Sequence, residues 1–236
     1  SVVLYRDAAL RRHQLYAKAA WTGYTVINTT FQSTKSGGAL AATWAALNYT
    51  GDAGYLEIAE RTLAAVDAIR EGIGRIDDLE VMGDPESNLI ALTSESVNVF
   101  DVVDQMRKQR WYVQPQLGFA GSRENIHLSV GGASLPLVPG LLADLEKACD
   151  AARREPTPPV DPELVALLES IDPAALDGEA FDMLLDGAGI GSVDGSPALP
   201  EETAGINAIL NVCPPELAER VLTEYFNRIY VPEPRG

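Results

Sequence analysis

The stretch TVINTTFQSTKSGGALAATWAALNYTGDAGY, residues 25–55, decides how the rest of the sequence is interpreted. Residues 33–38 within it are small and polar, and they include three hydroxyls, one lysine and two glycines. The alanine-rich segment after them predicts a helix. Because the first N–H groups of a helix have no intrahelical partner and carry its positive dipole end, they would face the polar residues. The stretch therefore predicts a polar loop that leads directly into a helix.

The chemistry of this loop is that of an anion-binding site. Hydroxyls, an ammonium group and glycines that let the backbone come close are the groups that hold phosphate at a helix start. We predict that Ser33, Thr34 and Lys35 contact the phosphate of a cofactor. The alternative is a capping loop that fixes the helix start and holds no ligand, since serine and threonine are common there.

The order of several motifs resembles one enzyme family. The loop stands between Trp21-Thr22-Gly23 and Trp44-Ala45-Ala46-Leu47, and Gly51-Asp52-Ala53-Gly54-Tyr55 follows. Later landmarks are Gly83-Asp84-Pro85, Arg110-Trp111 and Ile126-His127. This order resembles the group II pyridoxal-phosphate-dependent decarboxylases, and most of all their sphingosine phosphate lyase branch.

The resemblance implies a fold and a division of the chain. It implies the C-terminal half of a fold-type I enzyme, mixed α/β and α+β. Residues 1–50 would form the end of the large cofactor domain and a linking helix, residues 51–154 a small α+β domain, and residues 155–236 a proline-rich linker with a helical tail. The family's Schiff-base lysine would then lie upstream of Ser1, and the catalytic residues of this chain are unknown.

The loop departs from the family pattern at four positions. The family has Gly-Ser-Arg-Pro where this sequence has Ser33, Thr34, Lys35 and Ser36. Lysine binds phosphate as a point charge, whereas arginine offers a planar fork. A second interpretation makes Lys35 itself the Schiff-base lysine, because it alone among four lysines has a Ser/Thr/Gly environment.

The resemblance also implies an activity and partners. The cofactor would be pyridoxal 5′-phosphate, and the reaction would break a bond at the α-carbon of an amino acid or a phosphorylated amino alcohol. The substrate would be a small amine or amino acid, and the partner a second copy or the N-terminal half of the enzyme. The alternative is a catalytically incompetent fragment that serves as a dimerisation or interaction module.

Composition excludes several classes of partner. A formal charge of −16 disfavours nucleic acid and anionic membranes. No apolar run is long enough to span a bilayer and no leader pattern begins the sequence, so we expect a cytoplasmic protein without a membrane segment. Cys149 and Cys213 are predicted to be reduced thiols, and with only two histidines we expect no metal site.

Hydrophobic periodicity predicts the remaining elements. A buried helix should begin at residue 37, break at residues 50–52 and continue to about residue 73. Strands are expected at residues 1–5, 79–82, 88–93, 111–113 and 126–130, and helices at 97–110 with Ser96 as its cap, 137–153, 162–170, 179–185, 201–210 and 214–230.

A few further residues have a functional and a structural interpretation. His127 is either a core histidine or a substrate contact from the small domain. Arg123 is either a surface arginine or a ligand for a substrate anion. Tyr5 and Tyr24 could donate a proton or pack as aromatic residues. The glycines of residues 187–191 predict a flexible turn or a dimer-contact loop, because no strand precedes them as a dinucleotide loop requires.

Overall fold

The computed structural model describes residues 3–20, 26–28, 36–173, 192–193, 196–197 and 202–229. For residues 26, 28, 192–193, 196–197 and 225–229 it describes the backbone alone. The chain divides into two units, Ser1–Leu56 and Glu57–Gly236. The domain boundaries drawn from the sequence stay a prediction.

The first unit begins with short elements. Helix α1 (Ala8–Arg11) is capped by Asp7, whose carboxylate accepts the Leu10 N–H, and a 3₁₀ turn follows at Arg12–Gln14. Strands β1 (Tyr16–Lys18) and β2 (Val26–Asn28) pair antiparallel. The strand predicted at residues 1–5 is wrong for the described residues 3–5, which have no regular structure. A strand needs a partner for its backbone groups, and the described part of the chain offers none there.

Helix α2 (Gly37–Ile73) carries the chain from the first unit into the second. The predicted break is confirmed, because Gly51 has a φ of 62° and interrupts the helix. The predicted burial of the first half is wrong. Trp44 is 68% exposed, and Leu40, Leu47 and Tyr49 are exposed as well.

The second unit contains an antiparallel sheet of four strands in the order β3-β4-β6-β5. Ile90 lies opposite Leu128 and Leu92 lies opposite Ile126, and all four side chains are buried. Residues between them alternate to the other face, as strand geometry requires. The strands are β3 (Glu80–Val81), β4 (Leu89–Thr93), β5 (Gln114–Gln116) and β6 (Asn125–Ser129).

Three helical segments complete the core of this unit. They are the second half of α2, α3 (Val99–Lys108) and α4 (Val138–Arg154). The predicted inward positions of α3 are confirmed, since Val99, Val102, Val103 and Met106 are all buried. The order strand-strand-helix-strand-strand-helix is therefore the predicted α+β arrangement.

Two local predictions in this region are wrong. The cap of α3 is Asn98, whose side chain accepts the Phe100 N–H, while Ser96 donates its hydroxyl hydrogen to Asp78 instead. The strand predicted at residues 111–113 lies three residues later. Arg110 ends α3 in a left-handed turn with a φ of 68°, so the chain straightens only at Gln114.

The tail is helical, as predicted. Its helices are α5 (Pro162–Ser170), α6 (Ala204–Val212) and α7 (Pro215–Ile229), and a short hairpin pairs β7 (Ser192–Val193) with β8 (Ser196–Pro197). Leu168, Leu217 and Val221 form a small apolar cluster of their own. The helix predicted at residues 179–185 lies outside the described residues. Within the described chain, no helix is both long and apolar enough to cross a membrane.

Candidate functional site

The predicted phosphate contacts lie outside the described residues. Ser33, Thr34 and Lys35 belong to this group, so their arrangement stays a prediction. The structure describes what comes immediately after them. Ser36 is exposed, Gly37 begins α2, and a side chain built at Gly37 would meet nothing within 4 Å.

The start of α2 is compatible with an anion. Its first turn contains no acidic residue. The free N–H groups of that turn present a positive dipole end to the loop before it. The exposed Ser36 lies beside this helix start. A helix start without acidic residues suits an anion and a capping side chain alike.

The described lysines are poor candidates for covalent cofactor binding. Lys108 Nζ lies 2.7 Å from Glu202 Oε1, and this hydrogen bond raises the pKa of the lysine. Lys147 Nζ lies 2.7 Å from Asp144 Oδ1. Lys18 is exposed on β1. A lysine that attacks a carbonyl must lose its proton, so the pair with Glu202 works against that role.

Both cysteines are free and unsuited to catalysis. Burial raises the pKa of the Cys149 thiol to about 12 and also raises that of Cys213. A thiol must ionise to act as a nucleophile or a metal ligand. The prediction that both are reduced thiols agrees with the free cysteines of the structure. Among the described residues no group of three or more His, Cys, Asp or Glu side chains could hold a metal.

The other candidates have different surroundings. Arg123 donates to the Ser94 carbonyl and lies 3.2 Å from Glu95 Oε1, which favours the structural interpretation. His127 is half-buried on β6, and its Nε2 lies 3.4 Å from Ser129 Oγ at the mouth of a cavity. Tyr5 is partly exposed, and Tyr24 lies outside the described residues.

The sequence interpretation missed two buried carboxylates on α3. Asp104 accepts hydrogen bonds from the N–H groups of Thr203 and Ala204, both at 2.7 Å, and from the Thr203 hydroxyl at 3.1 Å. Asp101 accepts the Thr157 N–H at 3.0 Å and the Thr157 hydroxyl. Asp104 therefore caps α6 from a distant helix, and Asp101 holds the linker.

One signal could have identified these aspartates. Both stand in the apolar stripe of an amphipathic helix, beside Phe100 and Val103. A charge on a buried face needs partners, because burying it alone is costly. The sequence does not say which partners, since Thr157 and Thr203 are about 55 to 100 positions away.

A family model described as "Pyridoxal-dependent enzyme, C-terminal putative HTH domain" matches residues 162–228. The sphingosine-1-phosphate lyase of Arabidopsis thaliana is 31% identical over 159 residues, which cover 67% of this chain and 28% of that protein. The matched part of the chain thus spans less than a third of the length of this relative.

Two solved structures share the fold. The Burkholderia pseudomallei sphingosine-1-phosphate lyase has a TM-score of 0.57 and 30% identity, and the match covers 64% of this chain and 34% of that one. The Lactobacillus brevis glutamate decarboxylase has a TM-score of 0.51 and 16% identity, covering 65% and 37%, and shows the fold alone. The predicted fold-type I class is confirmed.

These matches also confirm the family resemblance. The match to a C-terminal domain model and the partial coverage of the lyases fit the C-terminal half of such an enzyme. Pyridoxal phosphate is the cofactor of this family. The chain is therefore a homologue of the sphingosine-1-phosphate lyases and matches the C-terminal part of pyridoxal-dependent enzymes.

Proposed function

We propose that this chain forms the C-terminal part of a pyridoxal-phosphate-dependent lyase. The observation that carries the proposal is the similarity to sphingosine-1-phosphate lyases over two thirds of the chain, together with the shared fold. The reaction would be cleavage of a carbon–carbon bond at the α-carbon of a phosphorylated amino alcohol. Decarboxylation of an amino acid is the second reaction type, because both use the same cofactor chemistry.

The cofactor would supply an electron-accepting ring for this cleavage. The role of this chain is to bind the phosphate. We propose that the hydroxyls of Ser33 and Thr34 and the ammonium of Lys35 hold it, with the positive end of α2 behind them. The covalent lysine is expected in polypeptide outside these 236 residues, as the family resemblance implies, and the pairing of Lys108 and Lys147 with carboxylates is consistent with this.

We further propose that the enzyme is a dimer that uses the first half of α2. Leu40, Trp44 and Leu47 are spaced three and four residues apart, and all three are exposed. Residues at this spacing lie on one helix face. An exposed apolar face of this kind is typical of a surface that another polypeptide covers.

A comparison of two ligands tests the phosphate contacts. Pyridoxal lacks the phosphate of pyridoxal 5′-phosphate but keeps the ring and the aldehyde. Equilibrium dialysis should show that the intact protein, made from its complete coding sequence, binds the phosphorylated form at least about tenfold more tightly. Lys35→Ala should reduce this preference, while Lys18→Ala, which removes an exposed lysine of the same unit, should leave it unchanged.

Borohydride trapping separates the remaining interpretations. After reduction, digestion and mass spectrometry, the modified lysine should lie outside residues 1–236. Modification at Lys35 would instead show that this loop holds the aldehyde end of the cofactor. A failure of the intact protein to bind either ligand would contradict the proposal and favour the alternative, a dimerisation or interaction module without catalytic competence.

A further inference from the structure

A cavity of about 210 Å³ opens within the second unit, beside the end of β6 that extends past β5. Its floor consists of buried apolar side chains from separate elements, among them Ile69 of α2, Val113 and Val138 of α4. At its mouth stand Tyr112, which is 86% exposed, and His127. The cavity therefore joins an apolar floor to a partly polar entrance.

Several polar side chains line the cavity, and two of them, His127 and Ser129, lie close to each other. His127 Nε2 and Ser129 Oγ are 3.4 Å apart, a distance at which each retains hydrogen-bonding capacity for a third group. The Trp111 Nε1–H is already donated to Asp144 Oδ2 at 2.9 Å, so the indole offers only its carbon surface. Ser134 Oγ accepts the Gly131 N–H at 3.1 Å.

Charge is missing from the lining. The residues around the cavity include no aspartate, glutamate, lysine or arginine. A cation would lose its hydration there without gaining an ionic partner, and an anion would find no charged side chain apart from the His127 imidazole at the mouth, so burying a charged ligand is costly. A neutral ligand with an apolar body would bury that body and remove water from apolar walls. The lining thus selects for a neutral amphipathic molecule.

We propose that this cavity binds a small neutral molecule with an aromatic or short aliphatic body and one hydrogen-bonding head. The body would lie on Ile69 and Val113, and the head would reach His127 and Ser129. The size is sufficient, because a cavity of about 150 Å³ lined by apolar side chains is known to take benzene. The site is separate in sequence from residues 33–38 and does not depend on the proposed lyase activity.

Nuclear magnetic resonance of the full chain tests the site with p-cresol as the probe. The chain has only two histidines, His13 and His127, so their ring signals form an internal comparison. p-Cresol should shift the His127 signals saturably and leave the His13 signals in place. Intermolecular nuclear Overhauser effects should connect its ring protons to methyl groups of Ile69 and Val113.

Toluene has the same aromatic body as p-cresol but lacks the hydroxyl, so a comparison of the two affinities measures the contribution of the hydrogen-bonding head. It should bind about fivefold more weakly than p-cresol, the amount expected for one neutral hydrogen bond. His127→Ala should weaken p-cresol about fivefold and leave the affinity for toluene unchanged. His13→Ala should change neither affinity.

Two further variants address the body. Val138→Phe should fill the floor and abolish binding of both probes. Tyr112→Ala removes an exposed side chain at the mouth, so the fold should tolerate it. This variant should still show the Overhauser contacts to Ile69 and Val113, and it remains usable if Val138→Phe does not fold. The proposal is overturned if p-cresol causes no saturable shift at His127, if both histidines shift alike, or if His127→Ala weakens toluene as much as p-cresol.

Discussion

The two ends of α2 are both rich in apolar residues and have opposite surroundings. Leu40, Trp44 and Leu47 before Gly51 are exposed, and so are Leu56 and Leu63 after it, whereas the end of the second half is buried in the core of the second unit through Ala65, Val66, Ile69 and Ile73. The difference lies in what the described chain places against each half. A helix face is buried only when something packs on it, and the exposed apolar face of the first half is the surface that we propose a second polypeptide covers.

The largest effect should come from truncating the buried half. Ile69 is 1% exposed, and Ile69→Ala should reduce the free energy of unfolding of the isolated chain by about 3 kcal/mol, from lost burial and a cavity. Leu47→Ala in the exposed half should change it by less than about 0.5 kcal/mol. Urea unfolding of the two variants measures both values. Equal losses would mean that the first half is packed in the isolated chain.

Substitution of Asp104 tests whether its hydrogen bonds attach the helical tail to the core of the second unit. Asp104→Ala should cost about 2.5 kcal/mol, since it leaves the N–H groups of Thr203 and Ala204 without their carboxylate partner. Amide exchange should increase first in α6. Asp150→Ala, at an exposed position of α4, serves as the control and should have little effect. A tail that keeps its protection without Asp104 would show that this cap does not attach it.

The exposed half should matter for association instead of folding. In the intact protein, Trp44→Asp should weaken dimerisation about thirtyfold, close to 2 kcal/mol, because a charge replaces an aromatic side chain at the centre of the proposed interface. Analytical ultracentrifugation measures the change. His13→Ala, which alters an exposed residue of the same unit, is the control. Unchanged dimerisation in Trp44→Asp would place the interface elsewhere.

The smallest effect concerns acid sensitivity of the second unit. The hydrogen bonds that Asp78 accepts from Arg153 and Ser96 lower the pKa of its carboxyl group. As the pH falls, Asp78 therefore takes up its proton in the unfolded chain before it does so in the folded chain. The stabilisation from ionised Asp78 is complete above the unfolded-state pKa of about 4 and is lost as the pH falls through the folded-state pKa. The difference in unfolding free energy between wild type and Asp78→Asn should therefore narrow in acid. Asp67→Asn, at an exposed site, should show no such narrowing.

The sequence predicted the features that depend on local periodicity. Its predictions were wrong where a residue distant in sequence, or another polypeptide, determines the contacts of a side chain. The break at Gly51, the inward face of α3 and the fold class are confirmed, because each follows from local pattern or from the order of motifs. The cap at Ser96 is wrong, because Asp78, 18 positions away, takes its hydroxyl. The prediction that Trp44 is buried is wrong for this chain, because an apolar pattern does not say whether the same chain or another one packs against it.

The candidate site was predicted less completely than the fold. Ser33, Thr34 and Lys35 were identified from their residue types, yet they lie outside the described residues and remain a prediction. Asp101 and Asp104 were missed, because tertiary hydrogen bonds leave no periodic signal. The cavity at His127 combines elements whose proximity only the fold reveals.

Hydrogen exchange across α2 tests the central claim most directly. In the isolated chain, the amides of α2 after residue 62 should exchange only through global unfolding. The amides of residues 40–50 should exchange at least about a hundredfold faster. In the intact assembled protein, the first half should become as protected as the second. Residues 40–50 that exchange equally fast in both preparations would contradict the claim that another polypeptide covers them.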